Sequence, residues 1–101
     1  MVGNRKLSVQ AVWILSAFVN GPDDEYCGAD LMRLTKLPSG TIYPLLIRFE
    51  EANYLSSRWE TDEPKSLGRP RRRLYRITSS GHKAFQSAAA EYETVRSLGW
   101  I

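Results

Sequence analysis

A chain of 101 residues, 43% hydrophobic and 25% charged, has the composition of one globular domain. Such a chain can remove roughly two-thirds of its unfolded surface from water but cannot build two separate cores. The net charge of +3 is only mildly basic, so the distribution of charge matters more than its total, while one Cys and one His exclude an internal disulfide and a Cys/His metal cluster or catalytic pair.

Nothing near the start resembles a signal peptide. Arg5 and Lys6 precede a short apolar run, Ser8 to Val19, that is broken by Gln10 and Ser16 and lacks a small-residue cleavage site. No run approaches the ~20 apolar residues of a membrane span. A cytoplasmic protein without membrane contact is expected. Ser8 supplies an N-cap for a first helix that carries Val9, Val12, Trp13, Leu15 and Phe18 before Asn20-Gly21-Pro22 stops it. The loop that follows holds Asp23-Asp24-Glu25, read as solvated charges. A second, short helix is predicted from Cys27 or Gly28 to Thr35, with Leu31 and Leu34 buried. Lys36-Leu37-Pro38 makes a tight turn, and Ser39 stands as N-cap of a third helix with Ile42, Leu45, Leu46 and Phe49 on one stripe. Two short helices so joined form a helix-turn-helix outline.

Asn53 is the predicted stop of the third helix. Leu55 to Glu60 and Arg72 to Ile77 have strand length and flank a Gly- and Pro-containing loop from Thr61 to Pro70, which predicts a hairpin with a long, mobile tip. Thr78 is the predicted N-cap of the last helix. Ser79, Ser80 and Gly81 make a weak first turn, and Phe85, Ala88, Ala89, Tyr92 and Val95 stabilise the helix by burial until Gly99 ends it. Cys27 reads as a small buried residue, with a redox-sensing thiol as the alternative.

Six of the fourteen Lys and Arg residues lie between Lys65 and Arg76, on the hairpin. A basic cluster that reaches out of a small domain suits the polyanionic backbone of a nucleic acid. The plainer reading is an edge strand whose charges prevent edge-to-edge pairing. On the third helix the apolar stripe spans about 100° of the wheel, with Thr41, Pro44, Ile47, Arg48 and Glu51 on the other side. Ser39, Gly40 and Thr41 bring hydroxyls, free N–H groups and the positive end of the helix dipole, whereas Glu50 and Glu51 repel phosphate at the far end. Insertion into a groove N-terminus first is therefore expected, with Arg48 reaching a guanine edge or a more distant phosphate. Tyr43 lies on the flank, its ring packed and its hydroxyl free for a phosphate or a backbone group. Simple capping for Ser39 and simple solvation for Arg48 compete with these roles.

The run Leu37-Pro38-Ser39-Gly40-Thr41-Ile42-Tyr43-Pro44-Leu45-Leu46, followed by Phe49-Glu50, resembles the recognition helix of PadR-like transcriptional regulators. Gly68-Arg69-Pro70-Arg71, then Leu74-Tyr75-Arg76-Ile77-Thr78 and Gly81, resembles the wing of the same family, in the same order and at matching distances. The resemblance implies an α+β, mostly helical fold: a winged helix-turn-helix with a three-helix core, a β-hairpin wing and a C-terminal dimerisation helix. Residues 1–78 would be the DNA-binding domain and residues 79–101 the dimerisation helix, in one structural unit. It further implies a homodimeric repressor of double-stranded DNA at a pseudo-palindromic operator, with Ser39, Thr41, Tyr43 and Arg48 facing the groove and Arg69, Arg71 and Arg72 on the wing. Departures from the family pattern are Lys36, where a Gly is common, and Gly28-Ala29, where a Gly-aromatic pair is usual. The short C-terminal region leaves little room for an effector domain.

The spacing of Phe85, Ala88, Tyr92 and Val95 is that of a helix seam against a partner helix. Phe85 is expected to pack on its own domain, whereas Tyr92, Val95, Leu98 and Trp100 lie beyond what a small winged domain covers; with Trp13 they form the expected dimer interface. Its aromatic residues also outline a candidate pocket for a planar hydrophobic ligand, as in some members of that family, although ordinary interface packing is the preferred reading. No enzyme, cofactor or metal is expected, because no nucleophile–base pair, Gly-rich phosphate loop or ligand cluster occurs. A winged-helix protein-interaction module is the alternative; it would not need Arg69, Arg71 and Arg72 together, and an RNA binder would show stacking aromatics on a sheet.

Overall fold

The computed structural model describes residues 7–21 and 23–97, with side chains as far as residue 93. Along the chain run α1 (Val9–Val19), α2 (Gly28–Thr35), α3 (Ser39–Glu51), β1 (Leu55–Trp59), α4 (Pro64–Leu67), β2 (Arg73–Ile77) and α5 (Ser79–Ser97). The predicted winged helix-turn-helix architecture is present, with α2 and α3 as the helix-turn-helix and β1–β2 as the wing. The strands pair antiparallel from Leu55 opposite Ile77 to Trp59 opposite Arg73. Tyr26 exchanges both backbone hydrogen bonds with Tyr75, at 2.9 and 2.8 Å, so the loop after α1 adds a one-residue bridge to β2.

The helix starts follow from local chemistry. The Ser8 hydroxyl accepts from the Ala11 N–H at 3.1 Å, satisfying one of the donors that the first turn of α1 leaves unpaired. Thr78 caps α5 in the same way, accepting from the Gly81 N–H at 3.0 Å while its hydroxyl donates to the Asn53 carbonyl at 2.6 Å. At α3 the expectation needs correction: Pro38 is the N-cap and Ser39 the first helical residue. Proline already holds the φ of −74° found there, and its carbonyl accepts from both Thr41 and Ile42 at 3.0 Å, so the Ser39 hydroxyl is not needed as a cap.

Ile14, Leu15 and Phe18 of α1, Leu31 of α2, Ile42 and Leu46 of α3 and Leu55 of β1 are fully buried and form the centre of the core. Each contributes roughly 1.5–3 kcal/mol on leaving water. Leu34 does not join them. It is 51% exposed, beside an open groove bordered by Trp13, Ser16, Ala17 and Thr35, where Ser16 and Ala17 of α1 are small and Trp13 is itself 53% exposed. On α5, Ala88 is buried and Phe85 packs against the core. Among the described residues no helix is long and apolar enough to cross a membrane.

The turn between α2 and α3 explains why glycine suits it. Lys36 is left-handed, at φ 65° and ψ 15°, a conformation that costs a side-chain-bearing residue roughly 1–2 kcal/mol. Lys36→Gly should therefore stabilise the fold by about 0.5 kcal/mol once the greater freedom of unfolded glycine is subtracted. Thermal unfolding should show a midpoint about 2–4 °C higher.

Candidate nucleic-acid interface

The outward face of α3 begins at Ser39 and Gly40, both exposed, with Thr41 half-buried behind them. Arg48 stands exposed about two turns further on. Ile47, 57% exposed, adds an apolar group to this face, where the helical wheel also puts it. Tyr43 packs on one side and is open to solvent on the other. Its ring lies directly over Gly28, where a Cβ would overlap both ring and hydroxyl, yet the side chain stays 44% exposed. The glycine at the start of α2 thus makes the seat for the tyrosine of α3.

One carboxylate gathers the two sides of the wing at the end of its strands. Glu60, next after β1, accepts from both terminal nitrogens of Arg69, at 2.6 and 3.1 Å, and from the backbone N–H of Arg72 at 2.8 Å. The Arg69 guanidinium first, and the Arg72 N–H second, hold the Glu60 carboxyl down to about 2 from an ordinary 4.5. Because the folded value lies below the unfolded one, this pairing acts in full above pH 4.5 and disappears as pH falls through about 2. In an NMR titration the Glu60 carboxyl should stay ionised at pH 3, where an unpaired glutamate is protonated.

The expected irregular tip is in fact partly helical. Pro64 opens α4 and the left-handed Gly68 closes it, the ordinary proline-first, glycine-last punctuation of a helix. Arg71 leans back on this tip: its Nε donates to the Asp62 carbonyl at 3.0 Å, and its guanidinium lies 3.4 Å from the Glu63 carboxylate. Arg73 donates to the Ser57 hydroxyl at 2.9 Å, lies 3.6 Å from the Glu50 carboxylate, and stacks over the Trp59 ring at 5.3 Å. Glu50 therefore ties α3 to the wing, also accepting from the Ser57 hydroxyl at 2.6 Å, instead of facing outward as a bare repelling charge. On the other face of the hairpin, Arg58 makes a bidentate pair with Glu25, at 2.7 Å for both bonds, and Arg76 donates to the Asp23 carbonyl at 3.2 Å. Glu25 is thus a brace for the wing and not a solvated charge, whereas the Asp23 and Asp24 side chains are exposed.

These elements meet in one place. A groove of about 290 Å³ is lined by Gly28 and Ala29 of α2, Tyr43 of α3, and Trp59, Arg71, Arg72 and Arg73 of the wing. The flank of α3 and the basic part of the wing therefore border a common surface. Arg72 is exposed there. Arg69 belongs to the wing's internal scaffold through Glu60. Cys27 is buried at the groove's base, its thiol donating to Asp30 at 3.3 Å. Trp59, 57% exposed, is a residue at this surface that the sequence does not mark; it shares a face of β1 with the buried Leu55, but the hairpin runs past the core before reaching it. Among the described residues no cluster of three or more His, Cys, Asp or Glu side chains is arranged to hold a metal.

Of the residues expected at a subunit interface, Trp13 is 53% exposed on α1, as is Val9 one turn before it. The Tyr92 hydroxyl donates to the Leu7 carbonyl at 2.7 Å, which fastens α5 to the chain preceding α1 in the same molecule. The side chain of Val95, and Leu98 and Trp100, lie outside the described residues.

A family model described as the transcriptional regulator PadR-like family matches residues 29–87, from the start of α2 into α5. No curated protein matches the sequence. Among solved structures, the chain is similar to a transcriptional regulator from Clostridium thermocellum, with a TM-score of 0.73 and 22% identity over 91% of this chain and 93% of that one. It is similar to a PadR family transcription regulator from Clostridium difficile, at 0.74 and 21% over 90% and 94%. It is also similar to Bacillus subtilis PadR in complex with operator DNA, at 0.64 and 18% over 78% of this chain and 45% of that one. At these identities the likeness concerns the fold.

Proposed function

The chain belongs to the PadR-like family of transcriptional regulators, a DNA-binding family, and from that premise we propose that it acts in the cytoplasm as a homodimeric repressor at a pseudo-palindromic operator. Two α3 helices, one from each subunit, enter successive major grooves roughly 34 Å apart. Ser39, Thr41 and Arg48 face the bases and nearby phosphates, the Tyr43 hydroxyl meets the backbone, and Arg71 and Arg72 hold flanking phosphates or probe the minor groove. Its chemistry is binding only. The carrying observation is the groove in which Tyr43 of α3 and Arg71 and Arg72 of the wing meet, since a duplex contacting one element then lies beside the other. Arg69 acts one step back, positioning the wing through Glu60. Ile47 suits contact with a thymine methyl.

Dimerisation through α5, helped by α1, is supported by the exposed Val9 and Trp13 on α1, an apolar pair without cover in the single chain. A planar hydrophobic ligand between the subunits would use the same aromatic surface; plain interface packing remains the preferred reading of Trp13. Selection of bound duplexes from a random pool tests the proposal. A symmetric consensus with half-sites about one helical turn apart is the expected result. Recovery of no consensus would contradict it and favour a protein-interaction module.

A further inference from the structure

We propose that Trp59 is a nucleic-acid contact in its own right, its ring packing against a deoxyribose of the strand whose phosphates the wing holds; the inference rests on the DNA-binding reading and adds an apolar subsite to it. A tryptophan 57% exposed at the end of a strand has little structural purpose there, because it shields no core. Nor is the ring free to wander. Arg73 stacks on it at 5.3 Å, and Arg73 is itself held by Ser57 at 2.9 Å and by Glu50 at 3.6 Å. The ring is thus presented by a chain of contacts that begins on α3. Pairing with Glu50 also offsets the Arg73 charge, so the stacked pair offers a flat, largely apolar surface rather than another cation.

Around that surface the chemistry alternates. Trp59 lines the groove of about 290 Å³ together with Tyr43, Arg71 and Arg72. Apolar ring, phenol hydroxyl and guanidinium within one small concavity match the repeating unit of a nucleic-acid backbone, which alternates an apolar sugar with an anionic phosphate. Arg72 meets the phosphate and Trp59 the neighbouring sugar. Contact to sugar carries no base information, so the effect should be the same on every sequence.

The test compares the full-length chain with its Trp59→Ala and Trp59→Phe variants, binding the selected duplex and a scrambled duplex of equal length across a series of salt concentrations. Trp59→Ala should bind both duplexes about tenfold more weakly, from the apolar area left wet. Its dependence on salt should match that of the parent chain, because no phosphate contact is removed. Trp59→Phe should recover most of the loss. Binding by Trp59→Ala at parental strength would overturn the inference. So would a loss accompanied by a salt slope lower by about 1, which would mean that the ring only holds an arginine in position. Failure of the parent chain to bind any duplex would instead sink the DNA-binding reading, and this inference with it.

Discussion

Arg71→Ala combined with Arg72→Ala should weaken binding to every duplex, by roughly tenfold to a hundredfold at low salt, and lower the slope of log affinity against log salt by about 2. Each guanidinium that meets a phosphate releases about one counterion, so removing two removes both the attraction and its salt dependence. Arg72 is exposed beside the groove shared with Tyr43, and Arg71 is held by one carbonyl and one exposed carboxylate, an arrangement that a phosphate can displace at small cost. Arg69 should behave differently. Its guanidinium is bidentate to Glu60, so Arg69→Ala should loosen the wing while changing the salt slope by less than about 1. Thr41→Ala or Arg48→Ala should instead shift preference among sequences, since in the proposed complex these residues face bases. Filter or anisotropy titrations at several salt concentrations separate the three behaviours.

Gly81→Ala should destabilise the fold by roughly 2–3 kcal/mol, although alanine is the better helix former. A Cβ at Gly81 would run into the Tyr54 carbonyl group and lie 2.9 Å from Ile77 Cγ1. The obstacle cannot move aside. The Tyr54 N–H donates to the Phe49 carbonyl at 2.7 Å, and its carbonyl accepts from the Thr78 N–H at 3.0 Å, so this backbone is tied at both ends. Thermal unfolding should show the midpoint fall by about 10–20 °C. Gly40→Ala is the internal control. No atom lies within 4 Å of its Cβ position, so there the better helix former should be neutral or slightly stabilising.

Much of this fold was legible because its punctuation is local. Ser8 and Thr78 announce their helices with hydroxyls that accept from residues three further on, and Asn53 ends α3 by adopting the left-handed conformation at φ 65°. The stripe of Ile42, Leu46 and Phe49 is buried as its spacing required, with Leu45 half-buried at its edge. The sequence is less legible where the outcome depends on distant parts of the chain. Leu34 has the spacing of a core residue, but whether a helix face is covered depends on what α1 offers across from it. The Glu25–Arg58 pair joins positions 33 residues apart, so nothing near Asp23-Asp24-Glu25 marks the loop as a brace.

The basic run was visible as charge, but its division of labour was not. Arg69, Arg71, Arg72 and Arg73 read alike in sequence, yet Glu60 engages the first and Glu50 with Ser57 the last. Two carboxylates, contributed by the end of β1 and by α3, thus determine which arginines remain available to a partner. Pro64 and Gly68 suit a loop in the sequence, yet together they start and stop a helical turn. Trp59 is unmarked in the sequence for a related reason: alternation tells which face of a strand a residue occupies, but not where the core beneath that face ends.

In the proposed complex the outward face of α3 and the arginine-bearing side of the wing act together as one duplex-binding surface. Titration of the isotopically labelled chain with its selected duplex, followed through backbone amide signals, tests this most directly. Changes concentrated in residues 39–48 and 59–73, appearing at the same duplex concentration, are the expected result. Changes confined to α1 and the Leu34 side of α2, with α3 and the wing untouched, would contradict it.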